Sequence, residues 1–248
     1  MRLDVASISQ QGSRNINEDR ICFGIFDGLA LFAVADGLGG HGGGDIAASI
    51  AVQKTEEIFS SSSEHDDVES CLEQCFQAAH IAILEQCKAV GSRYSMKTTL
   101  AILTVAEDFK ARWAHIGDSR LYYFPVHRRK RYLRTLDHSV TQSLVSRGEI
   151  KEDQVRFHED RSYLLRALGE DTRRAEYDLS DATPLRIGDA ILICTDGFWE
   201  WIPEQTMISC LKHAHDAHEW LGEMEQRILQ AGTGKDMDNY SAIAIMVR

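Results

Sequence analysis

Proline is scarce in this chain, with three among 248 residues. No Pro-, Gly- or Ser-rich linker divides it, so residues 1–248 read as a single domain. Long apolar runs are absent. No window reaches the ~18 consecutive apolar residues of a membrane-spanning helix. The opening Met1-Arg2-Leu3-Asp4 has an early acid and no apolar stretch, so no secretory signal is expected. No Cys-x-x-Cys occurs among the six cysteines, at 22, 71, 75, 87, 194 and 210. Cys71, Cys75 and Cys194 fall within apolar patterns, which predicts reduced core thiols in a cytoplasmic protein. Cations are short as well: 27 Lys and Arg stand against 38 Asp and Glu, a net charge of −11. That balance argues against nucleic acid or an anionic membrane as partner. It leaves room for a phosphorylated ligand, because a bound metal reverses the local sign.

What is present is a set of strand and helix patterns. Leu3, Val5 and Ser7 alternate as an edge strand does. Ile21 to Phe26 and Leu29 to Ala35 flank Asp27-Gly28, a hairpin signal. Asp45 is placed to cap a helix whose Ile46, Ile50, Ala51 and Ile58 share a face. Ser60 to Asp67 reads as a loop to a second helix, in which Val68, Leu72, Cys75, Ala79 and Ile83 recur at helical spacing. Thr98 to Glu107, Ala111 to Ile116, Arg120 to Phe124, Ala190 to Cys194 and Ser241 to Val247 read as strands. His138 to Gly169 is polar, with helical propensity in its first part. Trp220, Met224 and Ile228 mark a last helix that stops near Gly232. The order is α+β, with hairpin neighbours rather than regular βαβ units.

Four aspartates punctuate this pattern, each beside a glycine or an asparagine: Asp36-Gly37, Gly117-Asp118, Asp196-Gly197 and Asp238-Asn239. The first three close apolar runs. An unpartnered buried carboxylate is costly, and few cations lie in these motifs. A shared cation held by oxygen ligands alone is therefore expected, and such a donor set selects a hard ion, Mg²⁺ or Mn²⁺. Asp36 also opens the glycine-rich run Gly37-Leu38-Gly39-Gly40-His41-Gly42-Gly43-Gly44, where backbone can approach a ligand closely. The run has no Gly-Lys-Ser/Thr, so it is not a nucleotide phosphate loop. Arg14-x-x-Asn17-Glu18-Asp19 lies between the first two strands, and an arginine fork in an acidic site suits the outer oxygens of a phosphate. Ser49, Ser119 and Ser241 lack the His/Asp partners of a serine nucleophile. His213, His215 and His218 lack the spacing of a helical metal pair and are expected to be solvated.

Eight segments occur in one order: Arg14-x-x-Asn17-Glu18-Asp19, Asp36-Gly37-Leu38-Gly39-Gly40-His41, Thr98-Thr99, Gly117-Asp118-Ser119-Arg120, Asp137-His138-Ser139, Arg166-Ala167-Leu168-Gly169, Thr195-Asp196-Gly197 and Asp238-Asn239-Tyr240-Ser241. Together they resemble the bacterial metal-dependent serine/threonine protein phosphatases, the type 2C class. The resemblance runs over effectively the whole chain. It implies a four-layer αββα sandwich, two antiparallel β-sheets flanked by helices, with the metals at one end.

The resemblance also assigns roles. Asp36, Asp196 and Asp238, with the carbonyl of Gly37, match the ligands of two Mn²⁺ or Mg²⁺ ions, Asp36 bridging them. Asp118 matches a ligand of a third, weaker ion, for which Asp153 or Asp160 are further candidates. Glu18, Asp19 and Asn239 match groups behind the ligands, the two acids orienting metal-bound water. Arg14 matches the phosphate-binding arginine, and 139–168 a flap beside the site. Three departures stand out: Lys97 precedes Thr98-Thr99 where the family has glycine, Gly44-Asp45 replaces Gly-Glu, and His41 sits differently from the general acid of animal relatives.

The implied reaction is hydrolysis of phosphoserine or phosphothreonine by in-line attack of a water or hydroxide bridging two ions. The leaving oxygen is protonated by His41 or by a metal-bound water. The expected partners are phosphorylated proteins, including an opposing Ser/Thr kinase or its targets, and the chain is expected to act as a cytoplasmic monomer. Two rivals remain at this stage, a pseudophosphatase that binds without turnover and a hydrolase of small phosphate esters. The complete set of Asp36, Asp196 and Asp238 favours catalysis over the first.

Overall fold

A computed structural model describes residues 1–38, 42–62, 67–91, 96–126 and 132–248. The chain begins with strands β1 (Leu3–Gln10), β2 (Arg20–Phe26), β3 (Leu29–Ala35) and the short β4 (Gly37–Leu38). Helices α1 (Gly44–Ser61) and α2 (Val68–Val90) follow. Next come β5 (Lys97–Thr98), β6 (Leu100–Val105), β7 (Lys110–Ile116), β8 (Arg120–Phe124) and β9 (Leu133–Arg134). Helix α3 (Val140–Ser146) leads into a 3-10 turn at Glu152–Phe157. The remainder is β10 (Asp178–Leu179), β11 (Thr183–Pro184), β12 (Ala190–Cys194), α4 (Asp196–Trp199), α5 (Glu204–His213), α6 (Ala217–Gly232) and β13 (Tyr240–Val247). Among the described residues no helix is long and apolar enough to cross a membrane.

The strands form two antiparallel sheets, one ordered β1-β13-β12-β8-β9 and the other β10-β7-β6-β3-β2, with β11 also on β7 and a separate β4-β5 pair. Side chains alternate between faces with period two, and both faces of the central strands are covered. On β12, Ile191 and Ile193 join the layer between the sheets, while Ala190, Leu192 and Cys194 pack under α5 and α6. On β3, Phe32 and Val34 face the other sheet, while Leu31, Ala33 and Ala35 pack under α1 and α2. Double coverage explains why these strands read as unbroken apolar runs. The result is the expected four-layer αββα sandwich.

Three details differ from the sequence reading. Helix α1 buries Ala47, Ala48, Ala51, Val52, Thr55 and Phe59, and leaves Ile46 38% exposed. A face of small residues lets α1 lie close to the sheet. Asp45 is not the cap: it sits in the first turn, and Gly43 at the cap position offers no side chain. Glu18 supplies the acceptor instead, its carboxylate taking the N–H of Asp45. The run Thr98 to Glu107 divides into β5 and β6 at Thr99 and ends at Val105. No disulfide joins any of the six cysteines, and all but Cys87 are buried. His213, His215 and His218 are exposed, as expected.

Candidate metal centre

Register gathers the acids. Arg20 pairs with Ala35, Leu100 with Ile116, Cys194 with both Arg120 and Ala242, and Gln10 with Tyr240. The residues just beyond these pairs therefore meet at one end of the sandwich. They are Glu18 and Asp19 before β2, Asp36 after β3, Asp118 between β7 and β8, Asp196 after β12, and Asp238 before β13.

Each acid is fixed through its backbone or by hydroxyls. The Asp36 N–H donates to Thr99 Oγ1 at 3.0 Å, and its carbonyl accepts from Thr98 Oγ1 at 2.8 Å and the Thr99 N–H at 2.9 Å. Thr99 Oγ1 also meets Ser119 Oγ at 2.7 Å, tying the Asp36 turn to the Asp118 turn. That turn needs Gly117, whose φ of +94° is left-handed. Gly37 is required for a different reason: a Cβ there would lie 2.2 Å from the Gly44 carbonyl oxygen. Asp19 Oδ2 accepts from Thr195 Oγ1 at 2.8 Å. Asn239 staples the loop that carries Arg14. Its amide donates to the carbonyls of Gln11 (2.7 Å) and Ile16 (3.0 Å), and its Oδ1 accepts from the Glu18 N–H (2.8 Å).

The electrostatics are those of crowded acids. Burial, then Asp196, Asp19 and Asp118, push the Asp36 carboxyl well above the usual range. Burial, then Asp196 and Asp137, do the same to Asp118. Burial and then Asp238 raise Asp196. Asp19 is pushed up to about 7, chiefly by burial. Oδ1 of Asp19 and Oδ1 of Asp118 are buried without a hydrogen-bond partner. A cluster that resists ionisation and holds two orphaned carboxylate oxygens fits a hard divalent cation, which stabilises the charged form and uses oxygen donors.

Arg14 lies over this cluster, 52% exposed at its side chain. Its Nε donates to Asp238 Oδ1 at 2.9 Å and its Nη2 to Asp238 Oδ2 at 2.8 Å. His41 lies outside the described residues. Asp160 faces His158, Nδ1 to Oδ2 3.8 Å, and Asp153 lies in the first turn of the 3-10 segment, whereas the charged groups acting most on Asp118 are Asp196, Asp137 and Arg120. Lys97 forms an ion pair with Glu170, 3.0 Å from Nζ to Oε1, beside the bridge between Thr98 and Leu168.

Two residues escaped the sequence reading. Burial and then Asp196 push the Glu200 carboxyl up to about 7. Arg161, from the 139–168 segment, donates Nε to Glu200 Oε1 at 2.8 Å. The signal for Glu200 was its place one helical turn after Asp196. Arg161 carried no local signal. A second polar group joins His115, His138 and Asp178, whose ligand atoms lie within 4.8 Å of one another. The two imidazoles stack at 4.7 Å with planes 16° apart. Near-parallel rings aim their in-plane lone pairs side by side rather than at one point, so this trio lacks metal-binding geometry. Gly117 N–H donates to His138 Nδ1 at 3.2 Å, which leaves the proton on Nε2, 3.4 Å from Asp178 Oδ2 and without a hydrogen bond.

An αββα sandwich with an all-oxygen acidic centre at one end and an arginine fork above it defines a class of metal-dependent hydrolases of phosphate esters. A family model described as Protein phosphatase 2C matches residues 8–239, and the chain belongs to that family. The chain is 31% identical over 205 residues to the serine/threonine phosphatase stp of Listeria monocytogenes serotype 4b, covering 80% of this chain and 79% of that one. Among solved structures it is similar to the catalytic domain of the serine threonine protein phosphatase PstP in complex with two manganese ions (26% identity, TM-score 0.81, 99% of each chain). It is also similar to the PPM Ser-Thr phosphatase MsPP from Mycobacterium smegmatis in complex with cacodylate (27% identity, TM-score 0.81, 98% of each chain).

Proposed function

We propose that this chain is a phosphoserine/phosphothreonine protein phosphatase that uses Mn²⁺ or Mg²⁺. The observation that carries the reading is the convergence of Asp36, Asp196, Asp238, Asp19 and Asp118 from separate strand ends, with two orphaned carboxylate oxygens, under the Arg14 fork. Asp36, Asp196 and Asp238, with the Gly37 carbonyl, would hold two ions, and Asp118 would serve a further, weaker one. When bound, such ions supply Lewis acidity and a water of lowered pKa for in-line displacement at phosphorus.

The chain's own residues do the rest. Thr98 and Thr99 fix Asp36, and Thr195 fixes Asp19, so the acids are positioned before substrate arrives. Glu18 and Asp19, behind the ligands, would orient the attacking water. Arg14 binds two phosphoryl oxygens with its fork. The leaving seryl or threonyl oxygen would take its proton from His41 or from a water at the site. Residues 1–248 act as one catalytic domain and 139–168 as its flap, clasped to the site by Arg161 on Glu200 and by Arg156 on the Trp199 carbonyl (2.6 Å) and Glu204. We place the protein in the cytoplasm as a monomer opposing a Ser/Thr kinase, in keeping with cysteines that form no disulfide.

The test is hydrolysis of a phosphothreonine peptide and of p-nitrophenyl phosphate with Mn²⁺, followed by chelator. Turnover of both that stops on chelation is expected. Turnover that survives excess chelator, or no turnover with Mn²⁺, would overturn the reading.

A further inference from the structure

The Asp238 carboxylate is shared in a way that bears on the order of assembly at the site. A carboxylate offers about four lone-pair positions, and three are taken. Oδ1 accepts from Arg14 Nε at 2.9 Å and from the Asn239 N–H at 2.8 Å, and Oδ2 accepts from Arg14 Nη2 at 2.8 Å. An ion arriving at either oxygen would face the guanidinium across the same carboxylate, and two cations at one carboxylate repel. The side-on edge of the Arg14 guanidinium, Nε with Nη2, which could hold two phosphate oxygens, is turned onto Asp238, so only the end-on edge that includes Nη1 faces away from the carboxylate.

The backbone around Arg14 is held firmly. Asn239 staples Gln11, Ile16 and Glu18, and the Ser13 N–H donates to the Met237 carbonyl at 2.8 Å. The Arg14 side chain, by contrast, is half exposed, so it can leave Asp238 by side-chain rotation alone, without loop movement. In the ion-free protein Asp196 and Asp236 add to the attraction that holds the guanidinium there.

We infer that Arg14 serves as an internal counter-cation on Asp238, and that ion entry there frees the fork for the phosphoryl group, so the phosphate site forms only after the ion binds. This deepens the phosphatase reading and rests on it. The ion-free protein keeps its phosphate-binding arginine masked, and substrate binds second.

The arginine Nε–H spectrum reads this directly, with Mg²⁺ as a diamagnetic probe and Arg14→Lys to identify the Arg14 signal. In ion-free wild-type protein the Arg14 Nε–H should be displaced from the solvated-arginine position. Saturating Mg²⁺ should shift it back toward that position. Inorganic phosphate added afterwards should displace it again, whereas phosphate added without Mg²⁺ should leave it unmoved. Mg²⁺ binding is followed in parallel by calorimetry. A signal unmoved while calorimetry shows Mg²⁺ saturating, or one that phosphate moves before Mg²⁺, overturns this inference and leaves the phosphatase reading standing. Failure of calorimetry to detect either Mg²⁺ or Mn²⁺ overturns both.

Discussion

The indole N–H of Trp199 donates to the carbonyl oxygen of Asp118, 2.9 Å away, and the Arg120 guanidinium lies 3.4 Å over the same ring. Trp199 ends α4, the helix that Asp196 begins. Two acids of the centre, on different strands, are thus tied together through one buried side chain. Trp199→Phe keeps an aromatic ring but removes the donor and part of the indole's volume. It should cost at least about 1–3 kcal/mol in urea unfolding, the range for an orphaned buried acceptor, and the cavity adds to it. It should also raise the Mn²⁺ concentration needed for full activity. An unfolding midpoint and a metal titration both unchanged would show that the bond contributes nothing.

Asp118 itself should be separable from the two core ions. A site with fewer protein oxygens keeps more waters and binds its ion more weakly. Asp118→Ala should therefore still bind two ions by calorimetry, lose a metal dependence on the order of millimolar, and turn over phosphopeptide more slowly. Loss of a tight ion would instead make Asp118 a core ligand.

Arg120 and Asp137 form a two-bond ion pair, 2.8 Å and 2.6 Å, with side chains 3% and 2% exposed. Removing one partner strands the other charge in the core. Asp137→Ala should destabilise the fold by about 3–5 kcal/mol, measured by urea denaturation. A cost below ~1 kcal/mol would mean that the pair behaves as an exposed one.

His115 sets an acid limit on stability. Burial first, then the neighbouring His138, lower its pKa from the ordinary 6.5 to about 4, although Leu136, Asp178 and Asp137 all pull it upward. Below 6.5 the unfolded chain takes up a proton that the folded chain refuses. The contribution is therefore fully present above pH 6.5 and lost as pH falls toward about 4, a change on the order of 3 kcal/mol. His115→Gln should flatten the pH dependence of the urea midpoint between those values. Parallel profiles for the two proteins would contradict it.

What the sequence made legible follows from which interactions are local. The runs at Leu29 to Ala35 and Ala190 to Cys194 were readable because helices cover the outer face of each sheet and the sandwich covers the inner one. Asp36, Asp118 and Asp196 were readable because each closes an apolar run. Interactions between distant segments were not. The acceptor at the start of α1 comes from Glu18 on another element, so Asp45, the local choice, was wrong. The buried face of α1 is alanine-rich and carries little periodic signal, while Ile46 carries a strong one and lies outside. Arg161 and Glu200 are 39 residues apart in sequence and meet only in the fold. The sequence marks the Arg14 fork as a phosphate ligand, and its hold on Asp238, 224 residues away, arises only in the fold.

The central claim is that the acids at the end of the sandwich hold the ions that hydrolyse phosphoprotein. Phosphate release from a phosphothreonine peptide by Asp36→Asn in saturating Mn²⁺, set against wild type, tests it most directly. The substitution keeps shape and removes charge from the proposed bridging ligand. The account predicts a fall in kcat of about 10³ or more, since the ions supply most of the acceleration, with the thermal unfolding midpoint retained or raised because a buried, hard-to-ionise acid is gone. Turnover within a few-fold of wild type would contradict it.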